Sequence, residues 1–439
     1  MNERLRACVA AVLQALQLRQ RTHVPICLGA PNDHVARGGR IVLVAFGKAA
    51  RGMATAALSV LPVHRVRGLL VPPAPDADPL APLAVVPGGH PLPDAGSFAA
   101  ARQALALCRS AGPSDHVVFL VSGGGSALLE LPYDPSIGVD DWRRFYAGLV
   151  GCGAPIERIN ALRRRVSAVK GGRLALAAQH AAGQTTVFVN DTAGGYGDIA
   201  SGPSVFVDPD DDDDTSRTAW LDDASFRTEV RDLRLEASLP ARLAADLAAG
   251  SLPAPPAIPD SLWGRCAWLT LLDEHFARAQ CLAWLRSAGI VAEDHLGADD
   301  ATCAMAAEEL LLRLSALRAA QPHGPVAIVT TGELSVPLPP DPGVGGRNQQ
   351  FLLECAERIA GQPISVLSFG TDGVDGNSPA AGGIVDGTTL ARARALGHDL
   401  HDARRRCDAF PLLDALGASI VTGPTGTNVR DVRVAVHHG

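Results

Sequence analysis

Residues 116–128 read HVVFLVSGGGSAL, and this stretch decides the fold. Its apolar run, which ends at Val121, is typical of a strand buried on both faces of a sheet. The glycines Gly123, Gly124 and Gly125 follow between two serines, and the residues after them predict a helix. A buried strand that ends in a glycine-rich turn and leads into a helix is characteristic of α/β proteins.

The same alternation extends outward from this stretch along the first half of the chain. Apolar runs predict strands, and helical spacing predicts helices between them, with residues 139–182 largely helical. The predicted strands cover 41–46, 68–71, 83–86 and 185–189, and the predicted helices cover 4–19, 49–60 and 97–109. Strands and helices that alternate at this spacing indicate βαβ units and a parallel sheet.

The pattern blurs between residues 216 and 259, where prolines cluster, and it resumes afterwards. Further strands are predicted at 266–272, 326–330, 364–369 and 431–437, with helices that end near 287 or cover 301–319 and 351–359. A chain of 439 residues is too long for one ordinary core. We therefore expect two α/β halves, with glycine-rich segments where strands end.

Composition narrows the class of protein. Apolar residues make up 47% of the chain and charged residues 19%, which is typical of a folded globular protein. The chain lacks an apolar run long enough to span a bilayer, a signal-peptide pattern and a basic stripe with aromatics, so we expect a cytosolic protein without nucleic-acid or membrane partners.

Six acids, Asp208 and Asp210 to Asp214, predict a solvated surface loop. The nine cysteines form no C-x-x-C pair and read as free thiols.

Two lysines stand out against 37 arginines among the 39 basic residues. Both lie beside small residues, in Gly47-Lys48-Ala49 and Lys170-Gly171-Gly172, where a ligand can approach the backbone closely. A compact ammonium is not interchangeable with a planar guanidinium at a phosphate contact. We favour a functional role for Lys48, and we leave a structural and a phosphate-binding role equally open for Lys170.

The glycine loop Ser122-Gly123-Gly124-Gly125-Ser126 is the sharpest candidate site. Successive glycines let the main chain present N–H groups to an anion, and a following helix adds partial positive charge. A tight turn without a ligand is the alternative. The loop is neither a Walker A sequence nor a G-x-G-x-x-G dinucleotide fingerprint.

A second glycine-rich turn, at residues 343–346, delivers Arg347, Asn348 and Gln349 to the start of a helix. An arginine at the positive end of a helix is unfavourable unless an anion lies there. We favour a bound anion over the alternative, in which Arg347 pairs with an acid of the chain.

Acidic residues follow two strands, at Asp191 and at Asp372, with Asp198 and Asp375 nearby. Carboxylates near an anion site suit Mg²⁺, which prefers one or two carboxylates together with phosphate oxygens and water. Asp-Gly turns without a ligand are the alternative. For Asp191 and Asp372 we leave metal binding, general-base action and turn formation open.

Eight ordered stretches together resemble the glycerate 2-kinase family, whose C-terminal part is called MOFRL. These stretches are 46–53, 88–94, 122–128, 167–175, 200–203, 345–349, 370–376 and 422–428. Within them His90, Thr425 and Asn428 occupy glycine- and proline-rich segments that could line a polar site or form rigid turns.

The resemblance implies an N-terminal Rossmann-like domain, a smaller C-terminal α/β domain and an active-site cleft between them. We place the domains at 1–235 and 321–439, joined by the segment 236–320. It also implies ATP, a divalent cation and conversion of D-glycerate to 2-phosphoglycerate, with Lys48 and Arg347 as the catalytic pair. We expect direct in-line transfer, with Asp191 as a metal ligand or base and Asp372 as a second metal ligand. A homodimer is left open.

One segment departs from the family pattern. Where relatives carry Ser-Asp-Val-x-Gly-Asp-Asp before Ala-Ser-Gly-Pro, this chain reads NDTAGGYGD at 190–198, with altered spacing and one acid fewer. A kinase for a related C3–C4 sugar acid is therefore an alternative. A nicotinamide-dependent hydroxypyruvate reductase is another, although the dinucleotide fingerprint is absent. A non-catalytic anion-binding protein is a third.

Overall fold

The computed structural model describes residues 1–74, 78–206, 220–297 and 299–439. The predicted aspartate loop at Asp208 and Asp210 to Asp214 lies outside the described residues. The strands are β1 Arg40–Phe46, β2 Val66–Val71, β3 Leu83–Val85, β4 Asp115–Val121, β5 Gly183–Val189, β6 Cys266–Leu272, β7 Val291–His295, β8 Val326–Thr331, β9 Ile364–Gly370, β10 Gly382–Asp386, β11 Ser419–Ile420 and β12 Asp431–His437.

Helices connect most of these strands. They are α1 Asn2–Cys27, α2 Gly29–Ala36, α3 Ala50–Leu58, α4 Ala95–Arg109, α5 Gly125–Leu128, α6 Val139–Gly151, α7 Ile156–Val166, α8 Arg173–Ala177, α9 Asp223–Asp232, α10 Ala241–Ala249, α11 Asp260–Trp263, α12 Glu274–Ser287, α13 Cys303–Ala320, α14 Arg347–Arg358, α15 Thr389–Ala395, α16 Leu400–Arg405 and α17 Ala409–Ala415. Within the described residues, every helix is too short or too polar to cross a membrane.

The first sheet has the strand order β3-β2-β1-β4-β5-β6, which is the order of the Rossmann fold. Strands β1 to β5 pair in parallel, and β4 and β5 are buried along their whole length. This burial is the physical reason why β4 carries a continuous apolar run up to Val121. Strand β5 instead buries Gln184, Thr185 and Thr186 with their side chains hydrogen-bonded. The order reverses between β1 and β4, and this reversal marks the switch point, at the carboxyl edge of the sheet, where open α/β sheets bind ligands.

The second sheet has the order β11-β10-β9-β12-β8-β7. Only β7 and β8 pair in parallel, whereas β12 runs antiparallel to both β8 and β9. The α/β class is therefore confirmed for both halves, but the parallel arrangement holds for the first sheet alone. Each sheet packs its own apolar core, around Phe119 in the first and Phe351 in the second.

The chain packs as two compact units, one of residues 19–271 and one of residues 1–18 with 272–439. The first unit contains nearly all of the parallel sheet, and the second contains the mixed sheet. These units are defined by packing. The boundaries that the sequence places at 235/236 and 320/321 stay a prediction.

Several elements differ from the sequence-based expectation. The stretch 139–182 is broken into α6, α7 and α8, because Pro155 and the left-handed Gly171 and Gly172 interrupt it. The blurred stretch 216–259 contains α9 and α10. Strand β7 was not predicted because it is largely exposed, so it lacks the apolar run that marks its buried neighbours.

Candidate active site

The loops that follow β1 and β4 are locked together at the carboxyl edge of the parallel sheet. Gly47 has a φ of +116°, and a Cβ there would lie 2.2 Å from Ser122 Oγ, so the close approach requires glycine. The Lys48 amide donates to Gly123 O at 2.9 Å, and the Ala49 amide donates to Ser122 Oγ at 3.0 Å. The backbone of Lys48 is therefore positioned by the glycine loop.

Two further predicted residues meet the same loop. A Cβ at Gly124, which has a φ of +80°, would lie 3.0 Å from the His90 ring and 3.4 Å from Lys48 Cγ. A Cβ at Gly123 would fall 1.7 Å from Asp191 Oδ2, so the Asp191 carboxylate lies directly against this glycine. The structure thus brings Lys48, His90 and Asp191 together around Gly123 and Gly124.

Only some of the backbone amides of the glycine loop donate hydrogen bonds to the protein itself. The Ser122 and Gly125 amides donate to Phe46 O and Ser122 O, at 3.2 and 3.3 Å. The Gly123 and Gly124 amides have no hydrogen-bond partner among the residues that the structure describes. Helix α5 after the loop is only four residues long. The expected contribution of a helix dipole is therefore small, because few peptide units align, and the amides themselves must provide most of the anion affinity.

Burial and the charge of Lys48 both lower the pKa of His90. Burial disfavours the charged imidazolium and, together with the nearby positive charge of Lys48, lowers the pKa of His90 to about 4. His90 is therefore neutral at pH 7, and it can offer one N–H donor and one nitrogen acceptor without adding charge to the loop.

Lys170 does not join this group. Its side chain is fully buried, and Nζ lies 2.8 Å from Glu130 Oε2 and donates to Leu129 O at 3.2 Å. The Tyr146 hydroxyl also donates to Glu130 Oε2. Burial lowers the pKa of Lys170, and Glu130 offsets this effect in part. This geometry favours a structural role for Lys170, which is not part of the proposed binding site.

In the second unit, Arg347 begins α14 and is surrounded by carboxylates of the chain. Its Nε donates to Asp431 at 2.6 Å, and its Nη atoms donate to Glu333 at 2.7 and 2.9 Å. Burial lowers the pKa of Arg347, but Asp431 and Glu333 outweigh that effect and the net pKa is raised.

The partial positive charge at the N-terminus of α14 is also balanced by a carboxylate of the chain. Asp375 accepts the Asn348 and Gln349 amides at 3.0 and 2.8 Å. Burial and the nearby Asp431 raise the pKa of Asp375 to about 6, against these hydrogen bonds. The argument that Arg347 requires a bound anion is therefore wrong, because carboxylates of the chain already supply the negative charge.

Asn348 is buried and its side chain is fully engaged. Its Nδ2 lies 3.3 Å from Asp375 Oδ1, and its Oδ1 accepts from Ser368 Oγ at 2.5 Å. A group that is 1% exposed with both polar atoms bonded is placed to support the helix rather than to contact a ligand. The predicted binding role of Asn348 is not supported by this geometry.

Asp372, Thr425 and Asn428 lie in two loops that are joined to each other. The Thr425 amide donates to Asp372 O at 3.0 Å, and Thr425 Oγ1 donates to Thr371 O at 2.6 Å. Asn428 Oδ1 accepts from the Arg430 amide at 3.1 Å. These three predicted residues thus form a second group, at the end of β9.

The glycine-loop group lies in one compact unit, and the Asp372 group and Arg347 lie in the other. Lys170 and Asn348 belong to neither group. The meeting of Lys48 and Arg347 across a cleft stays a prediction. Sequence reasoning missed Glu333, although it lies two residues after the end of β8, the same offset from a strand at which Asp191 and Asp372 lie. It also missed Glu130, because nothing in the sequence marks a buried acid as the partner of a particular lysine.

A Rossmann-type parallel sheet with a glycine loop, a lysine and a carboxylate at its switch point defines a class of α/β enzyme that binds anionic ligands. Comparisons with known families match both halves of the chain. Residues 1–232 match a family described as a domain of unknown function, DUF4147, and residues 326–431 match the MOFRL family.

A protein named glycerate 2-kinase from Pyrococcus horikoshii is 33% identical over 404 residues, which cover 91% of this chain and 87% of that protein. A protein of Agrobacterium vitis with a provisional hydroxypyruvate reductase name is 33% identical and covers 90% of this chain and 98% of its own. A crystal structure of glycerate kinase from Thermotoga maritima superposes with a TM-score of 0.81 at 27% identity, over 99% of this chain and 100% of that one. The chain belongs to the glycerate 2-kinase family.

Proposed function

We propose that this chain is an ATP-dependent kinase that transfers the γ-phosphoryl group directly to the 2-hydroxyl of D-glycerate and forms 2-phosphoglycerate. Membership of the glycerate 2-kinase family supports the reaction class. The observation that carries the proposal is the convergence of Lys48, His90 and Asp191 on Gly123 and Gly124. Phosphoryl transfer depends mostly on positioning and on neutralising charge, and this group of residues can do both.

Each residue of the glycine-loop group has a separate task. The Gly123 and Gly124 amides hold phosphate oxygens, and the Lys48 ammonium neutralises charge on the moving group. Asp191 either takes the proton of the attacking hydroxyl or holds Mg²⁺. Neutral His90 donates one hydrogen bond to the bound phosphate and leaves the neutralisation of its charge to Lys48.

Mg²⁺ fits the residues present, although no group of three metal-ligating side chains occurs in the described part of the chain. This ion is commonly bound by one or two carboxylates together with substrate phosphates. Asp191 lies beside the proposed phosphate loop and would be the ligand from the first unit, and Asp372 would be the ligand from the second. When bound, the ion would neutralise charge on the phosphates of the nucleotide.

Arg347 is proposed to hold the carboxylate of the acceptor in a bidentate pair. Each of its three nitrogens already donates to Glu333 or Asp431, so a carboxylate that pairs with two of them must replace one of these residues. Glu333 is 33% exposed and Asp431 is 2% exposed, which makes Glu333 the residue that yields.

The deciding experiment is a screen of ATP consumption over D-glycerate, L-glycerate and C3–C4 sugar acids, with the product identified by phosphorus NMR. We expect D-glycerate to be used best, 2-phosphoglycerate as the product, and turnover that is lost with a chelator and restored by Mg²⁺. Turnover of another sugar acid without D-glycerate would replace the substrate assignment. No consumption of ATP with any acid would contradict the kinase.

Hydroxypyruvate reduction is the second candidate, and one observation disfavours it. The sheet order is that of dinucleotide-binding folds, but the turn after β1 reads Gly47-Lys48-Ala49 and not G-x-G-x-x-G. We expect no loss of NADH absorbance with hydroxypyruvate. The cytosolic location and a homodimer stay predictions.

A further inference from the structure

A buried series of hydrogen bonds leads away from the glycine loop, and the proposed function does not use it. Ser126 Oγ lies 2.9 Å from Ser201 Oγ, and Ser201 Oγ lies 2.8 Å from Asn160 Oδ1. Asn160 in turn contacts Asp198 through its amide nitrogen. Ser201 and Asn160 are almost completely buried, whereas Ser126, the last residue of the loop, is only half-buried.

The orientation of the Asn160 amide follows from its neighbours. Its Nδ2 lies 3.2 Å from both the carbonyl oxygen and the Oδ1 of Asp198. A carbonyl oxygen can only accept, so the amide nitrogen must face Asp198 and the amide oxygen must face Ser201. Arg163 Nη1, at 3.4 Å from Asn160 Oδ1, supports the same orientation because a guanidinium can only donate.

Counting protons then determines the direction of the remaining bonds. Asn160 Oδ1 carries no proton, so Ser201 must donate to it. A serine hydroxyl has one proton, so Ser201 can only accept from Ser126. Ser126 therefore donates its own proton to Ser201, and Ser126 Oγ can only accept from any ligand.

The backbone around Ser201 gives independent support. Ala200 and Ser201 have φ values of +55° and +63°, a left-handed conformation that side-chain-bearing residues rarely adopt. The Gly171 and Gly172 amides hold this turn through Ser201 O and Gly202 O, at 3.2 and 2.8 Å. Strain of this kind persists where the surrounding structure enforces it, and it clusters at functional sites.

We infer that Ser126 is a specificity-determining acceptor for a ligand hydroxyl, and that Ser201 and Asn160 are positioning residues that keep its proton turned away from the site. This inference rests on the proposed function, because it assigns the polarity of one contact in the same site. It also narrows the sequence-based prediction that Ser126 binds phosphate or substrate, because a phosphate oxygen requires a donor and the Ser126 hydroxyl can only accept. The hydroxyl belongs either to the acceptor acid or to the ribose of the nucleotide.

Ligand pairs that differ by one hydroxyl distinguish these two sources. The pairs are D-glycerate with D-lactate, D-glycerate with 3-hydroxypropanoate, and ATP with 2′-deoxy-ATP. Calorimetry gives the ratio of Kd values within each pair for the wild-type protein and for Ser126→Ala. We expect the ratio of one pair to fall about tenfold in the variant, which corresponds to one lost hydrogen bond. The affinity for tripolyphosphate should stay within about twofold, because Ser126 donates nothing to an anion.

Matched glycine variants separate positioning from structure. Ala200→Gly and Ser201→Gly both relieve a left-handed residue, but only Ser201→Gly removes the hydroxyl that accepts the Ser126 proton. We expect Ala200→Gly to raise Tm and to leave unchanged the ratio of Kd values in the ligand pair that responds to Ser126→Ala. Ser201→Gly should lower that ratio and tighten tripolyphosphate binding several-fold, since Ser126 is then able to donate to the anion.

Weaker tripolyphosphate binding by Ser126→Ala, or unchanged ratios in all three pairs, would overturn the inference. If the wild-type protein binds D-glycerate and ATP while either result is found, only this inference fails. If the wild-type protein binds neither ligand, the proposed function fails as well.

Discussion

The Lys48 backbone is tied to the glycine loop through Gly123 O, so its ammonium extends from a fixed base. We predict that Lys48→Ala reduces kcat by at least about a hundredfold, a loss typical of removing one charge-stabilising donor. Lys48→Arg should recover only part of the rate, because a planar guanidinium does not reproduce a point contact. Steady-state kinetics measure both variants, with Tm as the control for folding. Near-normal turnover of Lys48→Ala would contradict the assignment.

Lys170 gives the opposite expectation, a loss of stability. Lys170→Met leaves the Glu130 carboxylate buried without its cation, which costs about 3–5 kcal/mol in comparable pairs. Urea denaturation should show this decrease in the free energy of unfolding. The matched variant that adds Glu130→Gln removes the charge and should recover part of the loss. A Lys170→Met protein of unchanged stability would restore a ligand-binding role as the better explanation.

His90 predicts a dependence of stability on pH. Its pKa is lowered from 6.5 to about 4 in the folded protein, so between these values the unfolded state binds more protons. The free energy of unfolding therefore rises with pH across this range. The contribution of neutral His90 to it is lost as the pH falls from about 6.5 to 4. His90→Asn should make the slope shallower by up to one proton in urea titrations at several pH values. An unchanged slope would show that His90 is not buried in its neutral form.

At the scale of elements, the start of α14 depends on a residue far from it in sequence. Gly346 at the N-cap provides no side chain, and Asp375 accepts the first two helical amides after Arg347 instead. We predict that Asp375→Ala destabilises the protein by about 2–4 kcal/mol, because two buried donors lose their acceptor. Asp222→Ala, which removes an exposed cap of α9, is the matched control and should cost about 1 kcal/mol. Equal effects of the two substitutions would contradict a special role for Asp375.

Strands rich in apolar residues could be predicted closely from sequence, whether they are buried like β4 or largely exposed like β6, and strands with few apolar residues could not. Strands β6 and β12 begin and end at the predicted residues, and β1, β4, β8 and β9 lie within a residue of them. Strand β7 and strand β10, which opens with two glycines, were missed because neither has a continuous apolar run. The glycine loop was found for the same reason that β4 was, since the change from apolar residues to glycine is visible in the sequence.

At the scale of the whole molecule, the kinase proposal requires Lys48 and Arg347 to act on one ligand although they belong to different compact units. We predict that the Lys48→Ala and Arg347→Ala losses in kcat/KM are not additive. The double variant should be less impaired than the product of the two single losses, as happens when residues act as a unit. A double-mutant cycle with D-glycerate and ATP measures the coupling. Full additivity would mean that the two residues act independently.

The sequence by itself determined the α/β class, the strands rich in apolar residues, and the lysine and glycine loop at the end of two of them. These features depend on local composition and period, which a single chain displays directly. Only the tertiary structure decided that Lys170 is paired with Glu130, that Asp375 caps α14, and that the Ser126 proton points to Ser201. Each of these assignments depends on residues brought together from distant positions, and the donor or acceptor role of a side chain is set by the neighbours it finds there.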